Sequence, residues 1–479
     1  MDSDIGIHGI VGLALVFLYA VSVVGLVLVL LLENRNPLKT IPWVIVLILL
    51  PGLGLVFYFF FGQDNRRQRI ISGRTYKRIV RPLWSNRGVH DPGRVPPQYV
   101  PLCNLLVRNG QSALFDGCGL ECFTGGAEKF DALLEDIRQA KHHVHLQYYI
   151  FAGDETGGRV RRALIEKARE GVIVRVLYDD VGCWDVKASF FNEMRRAGVE
   201  VYAFLRVVFP IFTSKVNYRN HRKVVVIDGR VGYIGGMNIA DRYVRGSSLG
   251  VWRDTHFRVT GRGVHGLQSA FLLDWYAASR RLVKSRAYYP DTGACGEEVM
   301  QLAVSGPTGR WRTLLQAVTF CISNAKSYLY IQTPYFLPTE ALNQALQAVA
   351  LGGVDVRLML PKHSDARAVN MATHSFLDDM IKAGVKVYFY RSGFLHSKLL
   401  LSDDAIACIG SANFDFRSFE HNFEINAFVY HAPFARRMKE MFMHDLATGC
   451  EQVVPSQWLS RSIFVRIAES FMRLFSPLL

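Results

Sequence analysis

Two long stretches near the start of the chain carry no charged side chain. Residues 9–32 are mostly Val and Leu, and residues 41–61 end in Phe57-Tyr58-Phe59-Phe60-Phe61, with a short polar loop between them. As a helix rising ~1.5 Å per residue, the first reaches about 36 Å, against about 30 Å for the hydrocarbon core of a bilayer. The pattern predicts a transmembrane helical hairpin over residues 1–62. A cleaved signal peptide fits less well, because Asp2 and Asp4 stand where a basic n-region belongs and the apolar run is too long. Pro51-Gly52 leaves a broken or re-entrant second helix as the alternative. Arg66, Arg67, Arg69, Arg74, Lys77, Arg78 and Arg81 follow at once. The positive-inside rule then puts the rest of the chain, and the N-terminus, in the cytoplasm. The same cations suit an anionic lipid surface. Residues 63–118 read as a basic juxtamembrane linker, rich in Pro, Gly and Arg over 82–101.

Beyond the linker, helical and strand patterns alternate. Residues 127–140 and 160–170 have helical periodicity; residues 144–151 and 172–178 are apolar, β-branched runs of strand length. Alternation of this kind predicts an α/β fold with a buried sheet. The pattern then recurs in the same order. AKHHVHLQYYIF at Ala140 is echoed by AKSYLYIQTPYF at Ala325, EGVIVRVLYD at Glu170 by GGVDVRLMLP at Gly352, and AGVEVYAF at Ala197 by AGVKVYFY at Ala383. The chain holds two copies of one α/β unit, over 119–295 and 296–450, forming one bilobal body. A duplicated unit suggests a pseudo-twofold axis, with a site at the junction to which each half donates the same residues.

Composition narrows the picture. With 50% hydrophobic and 20% charged residues the chain is not intrinsically disordered. A net charge of +15 asks for an anionic partner, nucleic acid or an acidic lipid surface. Eight scattered cysteines with no CxxC pair fit neither a disulfide scaffold nor a zinc site.

The chemistry sits in a repeated motif. His221, Lys223, Asp228 and then Gly235-Gly236-Met237-Asn238 match His396, Lys398, Asp403 and then Gly410-Ser411-Ala412-Asn413 with identical spacing. On an extended chain His and Lys two apart face the same way. Two halves then offer two imidazoles, two ammoniums and the amides of Asn238 and Asn413 around one point. Ammoniums and amides suit a phosphate oxygen gathering charge in a transition state. Two imidazoles supply a nucleophile and an acid/base. No carboxylate pair or His/Cys cluster has metal spacing, so neither metal nor cofactor is implied.

Paired HxKx4Dx6G[GS]xN motifs resemble the phospholipase D superfamily. Together with the apolar N-terminus, TPYF, GFLHSK, GSANFDFRSFEHNFEIN and the terminal SPLL, the whole chain is similar to membrane-anchored bacterial cardiolipin synthases. The resemblance implies two phospholipase D-like units and a multi-pass inner-membrane enzyme. It implies transfer of a phosphatidyl group between two phosphatidylglycerol molecules, with release of glycerol through a phosphohistidine. By the same resemblance His221 is the nucleophile and His396 the acid/base, although near-symmetry allows the reverse. Lys223, Lys398, Asn238 and Asn413 hold phosphate oxygens. Asp228 and Asp403 belong to the catalytic motif and read as structural ties within it. Asp254 and Glu424 orient the imidazoles, each taken with the histidine upstream of it in its own copy. The first copy uses Asp where the second uses Glu.

Other histidines and strand residues read as packing. These include His142, His143, His145, His363, His374 and His421, with Tyr149, Gln332 and Tyr335 as pocket-lining alternatives. Residues 451–479 form an amphipathic C-terminal segment. Ile463, Ile467, Phe471 and Leu474 share one helical face, for an interfacial helix with Arg near the headgroups or for one docked on the protein itself. Three function classes remain at this stage: a membrane phosphatidyltransferase, a phospholipase or nuclease of the same superfamily, and a non-catalytic scaffold. A nuclease has no use for the uncharged N-terminus, and the cations do not interleave with stacking aromatics, so the expected partners are lipids rather than nucleic acid. A homodimer is left open.

Overall fold

The computed structural model describes residues 2–32, 37–50, 52–62, 70–85, 92–110, 112–207, 218–309 and 311–479. The described residues fall into two compact units, one within 2–62 together with Val207, the other within 70–206 and 218–479.

In the first unit, a helix spans Asp2–Leu32 and a second Pro37–Leu49. Leu30, Leu47 and Tyr58 bury one another, and the Tyr19 hydroxyl donates to the Leu47 carbonyl. Residues Val11–Leu32 are long and apolar enough to cross a membrane. The second expected span, 41–61, is not one helix. It stops at Leu49, restarts as Leu53–Phe57 and widens into a π-helical turn over Tyr58–Gly62. Gly52 between the pieces has φ 76°, a left-handed conformation that ends an α-helix.

The second unit is built on β1 (Leu114–Phe123), β2 (His143–Tyr148), β3 (Ile173–Asp179), β4 (Glu200–Phe204), β5 (Val224–Ile227), β6 (Val231–Gly235), β7 (Val251–Arg253) and β8 (His256–Thr260) from the first copy. The second copy contributes β9 (Glu298–Ser305), β10 (Tyr328–Gln332), β11 (Phe336–Leu337), β12 (Asp355–Pro361), β13 (Lys386–Tyr390), β14 (Gly393–Leu395), β15 (Leu399–Ser402), β16 (Ile406–Gly410), β17 (Phe414–Asp415), β18 (Glu424–Val429) and β19 (Cys450–Gln452). Fifteen of them form one sheet, ordered β19-β13-β12-β10-β15-β16-β18-β9-β1-β8-β6-β5-β2-β3-β4. Outward from the centre, β1-β8-β6-β5-β2-β3-β4 is matched by β9-β18-β16-β15-β10-β12-β13, and β1 meets β9 antiparallel. The duplication in the sequence is therefore a duplication of topology. β1 joins the halves by pairing with β9 through Leu114, Phe115 and Cys118, and with β8 from Gly119 on. Its register slips at a bulge where Gly117 has φ 62°.

β2 and β10 are buried along their whole length, as expected of strands covered on both faces. One core cluster is drawn from the first copy, with Phe394 added from the second. A second, around Leu267, Phe271 and Trp275, draws Tyr330, Leu401 and Phe442 from the other copy. Its helix, Gly263–Ser279, is buried without interruption from Gly263 to Trp275 and so packs all round.

The boundaries differ from the sequence reading. Within residues 63–118, expected to be a linker, lie helices Gly73–Ser85 and Val100–Gly110 and the start of β1. Ile79, Val80, Leu102 and Leu106 are buried in the cores. The last strand of the sheet, β19, reaches Gln452, past the expected end of the second half. Arg66, Arg67 and Arg69 lie outside the described residues.

Candidate active site

Each motif histidine lies in an extended segment just before a hairpin, His221 ahead of β5–β6 and His396 ahead of β15–β16. The backbone of each segment is held by the opposite copy. His221 N donates to Phe423 O at 3.0 Å, and His396 N donates to Arg253 O at 2.7 Å. β7 and β14 pair in parallel, and Asn220 forms an isolated bridge with Phe423.

The next residue after each crossing point is a carboxylate. His221 Nδ1 is 3.0 and 3.2 Å from the two oxygens of Glu424, and His396 Nδ1 is 2.6 Å from Asp254 Oδ2. This corrects the sequence reading. Asp254 does not serve His221, nor Glu424 His396; each carboxylate serves the histidine of the other copy. The parallel crossings bring the opposite segments together, and chain order carries no trace of them.

The lysines turn back on their own motifs. Lys223 Nζ donates to His221 O at 2.5 Å; Lys398 Nζ donates to His396 O and stands 2.8 Å from His396 Nδ1. All four side chains are buried, and their charges reach across the junction. Burial holds His221 below the usual imidazole range, partly offset by Glu424, with Lys223 and Lys398 adding to the depression. Burial, then Lys398, Lys223 and His221, push His396 well below it. Burial pushes Asp254 up to about 6 against the pull of Lys398. Burial would raise Glu424 too, but His221, Lys223 and a bond from Ser411 leave it below its ordinary value. Burial brings Lys398 down to about 8 despite Asp254 and Glu424, and carries Lys223 far below the ammonium range.

The last part of each motif supports these carboxylates. A Cβ on Gly236 would come within 2.2 Å of Asp254 Oδ1, so glycine lets the shorter acid sit close. Its counterpart, Ser411, donates its hydroxyl to Glu424 Oε2. The [GS] alternation in the motif thus follows the Asp/Glu alternation across the site.

The remaining motif residues are tied into the fold. Asp228, at φ 54°, accepts from the backbone N–H groups of Lys141, His142 and His143, each at 2.8 Å. Asp403, at the same φ, accepts from Lys326, Ser327 and Tyr328 at 2.8–3.0 Å. Both sit at the far end of the strand from the histidine, so they tie turns and are not part of the imidazole cluster. Asn238 accepts from Ile150 N at 3.1 Å and donates to Tyr243 OH at 3.0 Å; Asn413 donates to Asp415 at 3.0 Å. Each amide therefore has one N–H committed within the fold.

Several neighbours were not singled out in the sequence. The Tyr243 and Trp252 rings lie 5.7 and 5.3 Å from His396. Arg222 donates through Nη1 to both oxygens of Asp274 at 2.6 Å and through Nε to Glu424 O at 3.1 Å. Arg253 pairs with Asp445 at 2.8 Å and donates to Asp254 O at 2.8 Å. Two buried arginines thus pin the backbone of the two orienting carboxylates. Their position beside a motif residue was the available signal. Tyr149, read as packing or pocket lining, has its ring 5.0 Å from His221. The imidazoles of His143 and His145 are buried beside Gln268.

The family model "Cardiolipin synthase, PLD-like domain" matches residues 133–248 and 318–446, the two copies of the motif and their strands. The chain belongs to the cardiolipin synthase family. A phospholipase D-nuclease N-terminal model also matches residues 18–63. The chain is 39% identical to the major cardiolipin synthase ClsA of Bacillus subtilis over 96% of its own length and 98% of the relative's. It is 39% identical to a cardiolipin synthase of Oceanobacillus iheyensis, over 98% and 100%. Among solved structures, phosphatidylserine synthase of Haemophilus influenzae Rd KW20 aligns with TM-score 0.56 at 14% identity, covering 75% of this chain and 93% of that one. At that identity the likeness concerns the fold alone.

Proposed function

We propose that the chain is a cardiolipin synthase, moving the phosphatidyl group of one phosphatidylglycerol onto the hydroxyl of another and releasing glycerol. The observation that carries this reading is the pair of buried imidazoles, each bound to a carboxylate of the opposite copy and each with its motif lysine bonded to its own backbone carbonyl. Relatives spanning nearly the whole chain are named for the same activity.

Glu424 is ionised, so His221 Nδ1 donates to it and the Nε2 lone pair is free to attack. Nε2 bonds to phosphorus while the glycerol oxygen leaves, taking a proton from His396. The hydroxyl of the second lipid then gives its proton to His396, its oxygen bonds to phosphorus, and the bond to His221 breaks. Lys223, Lys398 and the Asn238 and Asn413 amides face the charge on the phosphoryl oxygens. The lysines that depress both imidazoles are offset once the anionic phosphodiester arrives, restoring the proton that His396 must give. The set is complete within one chain, so a homodimer is not required by the chemistry.

For the membrane end, the reading is a bacterial inner-membrane protein anchored by 9–32, with 41–61 as the second leg and the body on the cytoplasmic side. Arg74, Lys77 and Arg78 on the helix Gly73–Ser85 support that orientation.

Purified full-length enzyme given labelled phosphatidylglycerol should yield cardiolipin and glycerol in equal amounts by thin-layer analysis. Phosphatidic acid as the sole lipid product would make the chain a hydrolase instead.

A further inference from the structure

The helix Ile463–Arg473 is amphipathic but seated the wrong way round for a soluble protein. Its ionic side faces inward. Glu469, 4% exposed, is bound by Arg461 at 2.8 Å and His374 at 3.3 Å, while Arg461 and Arg466 reach Asp378 at 3.0 and 3.2 Å. Arg473 lies over the Phe376 ring. These ties fix the helix against its neighbour, Arg367–Lys382, and prevent it from rolling. Its apolar side faces out: Phe464 is 80% exposed and Leu474 73%, with Ile463, Ile467, Phe471 and Leu478 also exposed. The arginines are therefore drawn toward the inward side, with Arg466, its side chain 40% exposed, at the border of the apolar face.

No charged side chain interrupts this face, and a contiguous apolar surface of this kind marks an interaction site. It also leads to the chemistry. The carbonyl of Leu478 accepts from Arg417 at 3.1 Å; burial raises the pKa of Tyr149, the ring beside His221, and the Arg417 charge partly offsets that rise. A face that ends at the rim of a site for phospholipid suits the surface from which phospholipid comes.

We infer that the outward face of Ile463–Arg473 and the tail after it lie in the bilayer surface, seating the active site on its lipid substrate. The proposal rests on the phosphatidyltransferase reading above. The ionic underside acts as a bracket; the apolar face, not the arginines, enters the interface.

The test uses the full-length enzyme and the double variant Phe464→Glu/Phe471→Glu. Two substrates are compared, phosphatidylglycerol in vesicles and dihexanoyl phosphatidylglycerol dispersed below its micellar concentration. The expected result is at least a tenfold lower rate on vesicles with an unchanged rate on the dispersed lipid. Equal effects on both substrates, or none on either, would overturn the inference. A second readout does not depend on turnover. In a Cys295→Ser background, Phe464→Cys carrying an environment-sensitive dye should be quenched by brominated phosphatidylglycerol in proteoliposomes. Absence of quenching overturns the proposal, including the case where Phe464→Glu instead abolishes self-association and shows the face to bind a second copy. If wild-type enzyme forms no cardiolipin yet the dye is quenched, the functional reading fails and the seating stands.

Discussion

Glu424 Oε1 lies 3.0 Å from Nδ1 of His221, although the two residues belong to different copies of the repeat. Glu424 is the charge that holds the His221 pKa up against burial. Replacing it with Gln keeps the shape and removes the charge. Turnover should fall steeply, by up to about 10⁴-fold, the loss seen when a carboxylate orienting a catalytic imidazole is neutralised. The pKa of His221, followed by NMR, should move further down. Asp254→Asn should leave that pKa in place, because its carboxylate contacts His396. A shift of His221 with Asp254→Asn alone would show that the pairing is not crossed.

The covalent step has its own signature. His396→Ala keeps the His221 nucleophile but supplies no proton to the leaving glycerol, so phosphatidyl should build up slowly on His221. His221→Ala should accumulate nothing, and neither variant should make appreciable cardiolipin. Mass spectrometry of peptides after an acid-free quench checks this. An adduct found only on His396 reverses the two roles, and one found on neither during turnover argues for direct displacement.

Lys398 sets an alkaline limit. Its pKa of about 8 means the ammonium facing the phosphate is lost as pH rises through about 8 rather than near its ordinary value of 10.5. Then kcat/KM, which reports the free enzyme, should decline across that value. Stability should move the other way. Between about 8 and 10.5 the unfolded lysine still holds its proton while the folded one has released it, so stability rises with pH over that window. The shift corresponds to roughly 3 kcal/mol. Lys398→Met should accordingly raise Tm by a few degrees while removing activity; a lower Tm would contradict the strain assigned to this buried cation.

Asp403 should behave as a structural residue. Asp403→Ala leaves the N–H groups of Lys326, Ser327 and Tyr328 without their acceptor, a cost of roughly 1–3 kcal/mol. Tm should fall, with kcat at low temperature within about tenfold of wild type. A thousandfold loss of kcat at unchanged Tm would return the aspartate to the chemistry.

The two small residues under the carboxylates should differ in kind. Gly236→Ala puts a methyl 2.2 Å from Asp254 Oδ1, so Asp254 must leave His396 and turnover should drop at least tenfold. Ser411→Ala removes one bond to Glu424, which keeps His221 and Asn422 as partners, and should cost less than tenfold. Parallel rate measurements decide; a Gly236→Ala enzyme at full rate would mean that Asp254 has room to move.

The sequence revealed what is periodic or locally spaced. The duplicated strands and both histidine–lysine pairs could be read because their residues lie within a few positions of one another. Helix Gly126–Gln139 and strands β2 and β3 fall within a few residues of their predicted limits. The carboxylate pairing could not be read, because Phe423–Asn220 and β7–β14 are contacts between distant segments and the nearest downstream acid in each copy looks equally suitable. The helix Gly73–Ser85 was hidden by its arginines and lysine, which suggest solvent, although Ile79 and Val80 are buried on its other side. β1 was obscured by Gly117 and Gly119, which break its alternation at the bulge. The inverted seating of Ile463–Arg473 depends on Asp378 and His374, far from it in sequence.

The crossing of the carboxylates bears on ancestry. A lone ancestral copy would have carried a histidine and an acid too far apart to meet, and so would have been inert as a monomer. Two identical copies facing each other across the line where β1 now meets β9 would have completed both pairs at once. Joining them in one polypeptide made their encounter independent of concentration. It also released them from identity, since a substitution in one copy no longer appeared in the other. Asp254 against Glu424, Gly236 against Ser411 and Arg222 against Ser397 record that release: one half of the site has drifted from its twin while the partnership itself has been kept.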